Sequence, residues 1–182
     1  MTMEKPSPAP VYWALLCCVC LVLTGCTSTY SAITTVDNVD LNRFSGDWFV
    51  IASIPTVIEA DAYNAVETYA PPVRNRIETQ FRFNAGALNG PVRTYTPTAF
   101  VSEDSPGIWG MQFIWPIRAE YRIVHLDDAY QYTIVGRSKR DYVWIMARRA
   151  DISEETYRNL VARVAELGYD TSKLRRVPHS AR

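Results

Sequence analysis

Cysteine is missing from the body of this chain. Cys17, Cys18, Cys20 and Cys26 all fall in the first 26 residues, and none follows. That excludes a disulfide framework or a thiolate metal site from any domain downstream. Histidine is almost absent too: His125 and His179 are the only two, and His179 lies near the C-terminus. No HExxH pair, GxSxG elbow or glycine-rich phosphate loop is present, so no metal and no cofactor is expected, and no enzyme. Excess charge is also lacking. Nineteen Lys and Arg balance 19 Asp and Glu, and without a basic face no nucleic acid is expected as a partner. Only one long uncharged apolar run exists, VYWALLCCVCLVL at 11–23. It is shorter than the ~20 residues that span a bilayer, and Lys5 precedes it, so it reads as the apolar region of a signal peptide.

That run ends in Leu23-Thr24-Gly25-Cys26, which resembles the bacterial lipobox. The resemblance implies cleavage before Cys26, a thioether-linked lipid on its thiol, and acylation of the new N-terminus. The alternative is a chance cysteine after an ordinary signal peptide. Several acyl chains on one residue anchor firmly where a single chain does not. Thr27 stands where the inner-membrane retention signal of enteric bacteria has Asp, so the expected place is the outer membrane, periplasmic face. The expected organisation is a signal peptide at 1–25, the lipidated cysteine and a Ser/Thr-rich linker at 26–38, one domain at 39–177, and a tail at 178–182.

What the chain has in quantity is aromatic residues, 11 Tyr, 6 Phe and 5 Trp, in short runs that suit strands. The runs lie at 47–54, 63–70, 76–84, 91–102, 107–115, 120–126, 131–136 and 142–148. The third alternates cleanly, with Ile77, Thr79, Phe81 and Phe83 against Glu78, Gln80 and Arg82. Asn89-Gly90 marks a turn after it. The fourth is interrupted by Pro97 and is expected to be bulged or weakly paired. Trp109, Met111, Phe113 and Trp115 share one face of the fifth. Eight short strands with tight connections predict an all-β fold, an eight-stranded antiparallel up-and-down barrel that removes its edges by closing. A C-terminal α-helix follows. Ser153 is its N-cap, Leu160, Val161, Val164 and Leu167 form its apolar stripe, and Gly168 ends it.

Three motifs add a family resemblance. Asn42-Arg43-Phe44-Ser45-Gly46-Asp47-Trp48 resembles the lipocalin signature, a Gly-x-Trp just before the first strand. Leu126-Asp127-Asp128 with Tyr130 resembles the lipocalin turn between the sixth and seventh strands. Tyr142-Val143-Trp144-Ile145-Met146-Ala147-Arg148 resembles the last strand of bacterial outer-membrane lipoprotein lipocalins and of apolipoprotein D. The resemblance implies that Trp48 closes one end of the barrel and that Arg148 lies across its indole. Asn42, Phe44, Gly46 and Asp127 are then signature residues that shape the floor and its turn, away from ligand.

The resemblance also implies a hydrophobic ligand, a fatty acid or a lysophospholipid, stored or carried in the cell envelope, with the membrane as second partner through the anchor. A homodimer is left open. Strand alternation assigns the ligand-facing set as Phe81, Phe83, Trp109, Met111, Phe113, Tyr121, Ile123, Trp144 and Met146. Glu67 shares a face with Tyr69 and joins that set, as a contact for a polar or cationic headgroup. Its alternatives are a pair with an inward arginine, or a shifted strand that exposes it, because an unpaired carboxylate inside a barrel is costly. The rival functions are a structural envelope lipoprotein with a filled barrel, and a lipocalin-fold enzyme acting on a lipid. The anchor is testable directly. Cys26→Ser is expected to abolish incorporation of labelled palmitate and to move the protein out of the membrane fraction; unchanged labelling or fractionation would contradict the lipobox.

Overall fold

The computed structural model describes residues 31–180. The signal peptide and Cys26 lie outside the described residues. Residues 31–182 form a compact unit of their own.

A four-residue helix, α1 (Leu41–Phe44), leads into the first strand and is capped by Asp40, which accepts from the N–H groups of Asn42 and Arg43. It is too short to show a periodic pattern. The strands are β1 (Gly46–Ile54), β2 (Ala62–Tyr69), β3 (Arg76–Ala85), β4 (Val92–Tyr95), β5 (Thr98–Val101), β6 (Ile108–Ile114), β7 (Ile117–Leu126), β8 (Tyr132–Gly136) and β9 (Val143–Ala147). Neighbours in the order β1-β2-β3-β5-β6-β7-β8-β9 pair antiparallel, and β9 returns to β1, so the sheet closes. Both β4 and β5 pair with β3. They are two halves of one barrel strand split at Pro97, as proline in a ladder requires. Counted so, the barrel has eight strands. Helix α2 (Glu154–Glu166) follows, with the Ser153 side chain accepting from Thr156 N–H and Gly168 at φ +85 just past its end. A two-residue strand, β10 (Arg175–Arg176), then pairs with the outer part of β1.

The wall has two kinds of strand. In β3 buried and exposed residues alternate, because its outer face meets water. In β9 all five residues are buried, and β1 is buried from Trp48 to its end. Trp144 and Met146 point into the barrel core, while Val143, Ile145 and Ala147 join Leu160 and Val164 of α2 in a second core outside it. Strands covered on both faces read as unbroken apolar runs.

Three features differ from expectation. The expected linker is packed from its far part on: Ile33 is buried in the outer core, Val36 N–H donates to the Ile123 carbonyl, and Arg140 reaches the Ser31 carbonyl. The expected tail is also tied down. Asn64 N–H donates to the Pro178 carbonyl, and a ring nitrogen of His179 lies 2.9 Å from the Val50 carbonyl. Third, the inward alternation of the fifth expected strand fails at its tip. The register shifts between Met111 and Ile114, and β7 already begins at Ile117, so Trp115 lies in the turn, 82% exposed.

The floor is built as the signature implied. The Arg148 guanidinium sits 3.9 Å from the centre of a Trp48 ring and donates to the carbonyls of Asp47, Arg43 and Phe44. The Trp48 indole N–H donates to the same Phe44 carbonyl at 2.8 Å. Gly46 has φ +94, and a Cβ there would stand 3.5 Å from the guanidinium. Asp127 accepts from the N–H groups of Ala129, Gln131 and Tyr132 and so bends the β7–β8 turn beneath the floor. Arg43 lies over the Tyr130 ring of that turn, and the Tyr130 hydroxyl accepts from Asp40 N–H. Asn42 serves through its backbone. Trp48→Ala is expected to cost about 3–5 kcal/mol. Arg148→Ala should be non-additive with it by at least roughly 0.5 kcal/mol, since the two touch. Denaturant melts of both single variants and the double measure this, and strict additivity would mean that the stack contributes nothing.

Candidate functional site

Up-and-down winding brings the β1–β2, β3–β4, β6–β7 and β8–β9 connections to the end opposite the floor. There the barrel opens into a cavity of about 230 Å³. Its wall carries Glu67 from β2, Phe81 from β3, Met111 and Phe113 from β6, Ala119, Glu120 and Tyr121 from β7, and Tyr142 and Trp144 from the last hairpin. Thr56, Val57, Ile58 and Glu59 of the β1–β2 loop, with Arg137, complete the rim.

Six of the residues expected to face ligand therefore meet at one place: Glu67, Phe81, Met111, Phe113, Tyr121 and Trp144. Phe113 does so at the rim, half exposed. Four others face inward but fill the core instead. Trp109 packs edge-on against Phe44 and Tyr69, stacks on Tyr121, and donates to the Pro106 carbonyl. It belongs to the floor. Phe83 packs on Phe81 and stacks on Tyr95, while Ile123 and Met146 are fully enclosed in the inner core. Alternation says which way a side chain points, not how deep it lies. Tyr142 was legible, two residues before Trp144 and on the same face. The β1–β2 loop and Arg137 were not, because rim loops carry no period.

Glu67 is 1% exposed, and β2 is in the register that turns it inward, paired with Trp48 and Phe81. Neither carboxyl oxygen has a hydrogen-bond partner among the described residues. No arginine pairs with it, and the strand is not shifted, so both alternatives are set aside. Burial among apolar groups pushes its pKa from 4.5 up to about 8. Thr79 lowers it a little, and the Glu59 charge adds to the rise. The Thr79 hydroxyl is itself committed to the Pro97 carbonyl at 3.0 Å. Glu67 is thus a neutral acid at pH 7. The indole N–H of Trp144 is a second buried polar group without a partner among the described residues. Just below, the hydroxyls of Tyr69 and Tyr121 bond to each other. Burial raises the pKa of both, so they stay neutral.

Other candidate chemistry lies elsewhere. His125 is half-buried, with its pKa lowered by burial and by Arg163 of α2, which places it towards the helix and away from the cavity. No group of three or more metal-ligating side chains occurs among the described residues. A larger cleft, about 670 Å³, lies outside the barrel between β1 and the segments that flank α2. Its wall includes Arg148, Arg149, Asp151, Glu154 and Arg176. A charged, solvent-open groove is a poor place for an apolar ligand, so the barrel cavity is the candidate site.

A closed eight-stranded antiparallel barrel, plugged by an arginine-covered tryptophan and hollow at the other end, defines a class of ligand-enclosing β-barrels. The chain belongs to the lipocalin-like family, whose domain model matches residues 39–179. Among curated relatives, it is 30% identical to temperature-induced lipocalin-1 of Arabidopsis thaliana, over 80% of this chain and 82% of that one. It is 27% identical to the outer membrane lipoprotein Blc of Escherichia coli K12, over 78% and 80%. Insecticyanin of the tobacco hornworm Manduca sexta superposes with a TM-score of 0.66 at 18% identity, covering 84% of this chain and 87% of its own.

Glu67 makes stability depend on pH. Its folded pKa lies above its unfolded one, so between about pH 4.5 and 8 the folded state holds a proton that the unfolded state has lost. Stability from this group therefore falls as pH rises, by about 1.4 kcal/mol per unit. Glu67→Gln is expected to be more stable than the parent, by a margin that grows from pH 5 to pH 8. Urea melts across that range check this, and a constant margin would show that Glu67 is not buried as described.

Proposed function

We propose that the protein is a lipid-anchored carrier that holds one single-chain hydrophobic ligand in the barrel cavity, in the bacterial cell envelope. The observation that carries this reading is the cavity itself: an otherwise tightly packed barrel keeps about 230 Å³ open at one end, walled by Phe81, Met111, Tyr121 and Trp144. A structural lipoprotein needs no such space, and interiors normally fill it. Fatty acids and lysophospholipids are the ligands that the family resemblance brings forward. A volume of about 230 Å³ suits one chain rather than two. The outer membrane, periplasmic face, is the proposed location. The lipobox at Cys26 and the similarity to outer membrane lipoproteins support it.

The reading is of a binding protein rather than an enzyme: the family consists of binding folds by resemblance, and the two tyrosine hydroxyls below Glu67 are committed to each other. Residues 31–182 contain both cores and the closure of β1 on β9, so this part of the chain is expected to fold by itself. With Trp144 in the cavity wall, tryptophan fluorescence of this domain should change on titration with single-chain lipids. Affinity should rise with chain length, by about 0.8 kcal/mol for each methylene buried, and then level off once the cavity is full. No saturable binding at any length would leave the scaffold reading in its place.

A further inference from the structure

Polarity in this cavity runs opposite to what a lipid entering tail-first needs. The deep end holds Glu67, whose two oxygens have no partner among the described residues. Beside Thr56, Glu59 and Arg137, the rim exposes a run of apolar side chains: Val57 and Ile58 from one loop, Phe113, Ile114, Trp115 and Ile117 from the β6–β7 hairpin. The charges around the mouth are already engaged: Glu120 pairs with Arg122 and accepts from Ser138, Arg137 pairs with Asp141, and Glu59 accepts from Thr56. Glu67 is the acid of this wall left without a partner among the described residues, and a carboxylate or phosphate driven down to it would find no unpaired cation on the wall.

Around Glu67 stand aromatic faces. The Phe81 and Trp144 rings lie 4.8 Å apart, and Tyr142 and Trp144 lie 5.4 Å apart, with Tyr121 on the same wall. Aromatic rings beside a carboxyl group form the arrangement that binds an ammonium ion, through the negative ring faces and the acid together. We propose that the cavity takes its ligand head-first, and that the head is a positively charged ammonium seated between Glu67 and the rings of Tyr142 and Trp144. The alkyl chain then runs outward over the apolar rim. The inference rests on the carrier reading and names the ligand class for that same cavity: single-chain amphiphiles with an amine or ammonium head. The Trp144 indole N–H remains to donate to an oxygen on such a head.

Proton balance gives the proposal a signature. Glu67 by itself holds its proton at pH 7. Seating the cation favours the ionised acid, so one proton leaves as the ligand enters. Below the pKa of Glu67, affinity should therefore rise by up to about tenfold per pH unit. The groups facing Glu67 do not blur this. Glu59 comes from the β1–β2 loop, with both its oxygens held by Thr56. Thr79 comes from β3 and does not titrate. Tyr69, Tyr121 and Tyr142 stay protonated because burial raises their pKa values. An alkylammonium keeps its charge throughout this range, as a lysine does.

The test uses the domain at 31–182, delipidated, with three probes of equal chain length: dodecylamine, dodecanol and dodecanoate. Dodecylamine is expected to bind at least about tenfold more tightly than dodecanoate near pH 7.5, with affinity falling about tenfold on going to about pH 6.5. Glu67→Gln should remove both the preference and the pH dependence while dodecanol binding persists. Tyr142→Leu, which leaves the acid in place, should weaken dodecylamine more than dodecanol. Dodecanoate binding as well as dodecylamine, or pH-independent amine binding, overturns the ammonium site and leaves the carrier standing. Failure of all three probes to bind overturns both.

Discussion

One contact holds the barrel shut. The Arg148 guanidinium lies on Trp48 and spends its N–H groups on four carbonyls, those of Arg43 and Phe44 in α1, Asp47 at the start of β1 and Tyr130 in the β7–β8 turn. The charge is met by backbone carbonyl oxygens rather than by a carboxylate, and these bonds offset part of the desolvation that burial imposes on it. It joins the residue just past the last barrel strand to the residues just before the first. Closure of β1 on β9, the seating of α1 under the barrel and the bend at Asp127 all meet at this point. The open end depends on it indirectly. A barrel fixed at one end by packing can leave the other end hollow without losing its shape.

Most of the fold was legible in the sequence because the strands declare themselves in two different ways. On β3 the alternation of Ile77, Thr79, Phe81 and Phe83 with charged residues follows from one face in water. On β1 and β9 the unbroken runs follow from a helix over the outer face. Pro97, Ser153 and Gly168 marked interruptions for backbone reasons that act locally. What local reasoning missed is what depends on distant partners. Ile33 sits in a stretch with linker composition, yet it is buried in the core that α2 builds. Trp115 continues an alternating pattern, yet the chain turns before the pattern can apply.

The site was legible in direction but not in depth. Trp109 and Trp144 look equivalent in sequence, as inward aromatics on neighbouring patterns. One is floor and the other is cavity wall, because Phe44 rises from α1 to meet Trp109, whereas Trp144 packs beside Phe81 and Tyr142 along the wall. Glu67 was visible as an anomaly, a charge on an inward face. That it stands without a partner could be seen only once all of its neighbours were in place. Burial decides its protonation, and so makes the wall neutral at a position where the sequence shows a negative charge.

The clasp on Trp48 has a kinetic consequence as well. The bond from Arg148 to Asp47 spans 101 residues, and β1 finds its barrel partner β9 only after nearly the whole domain has been made. Contacts this far apart close late and slowly. Until they form, β1 is an apolar strand destined for burial on both faces, with one edge unpaired, and such strands recruit wrong partners. A chain that emerges N-terminus first exposes this strand for the longest time. The interaction that makes the finished barrel secure is thus the one that leaves the nascent chain most dependent on protection from aggregation before its last strand arrives.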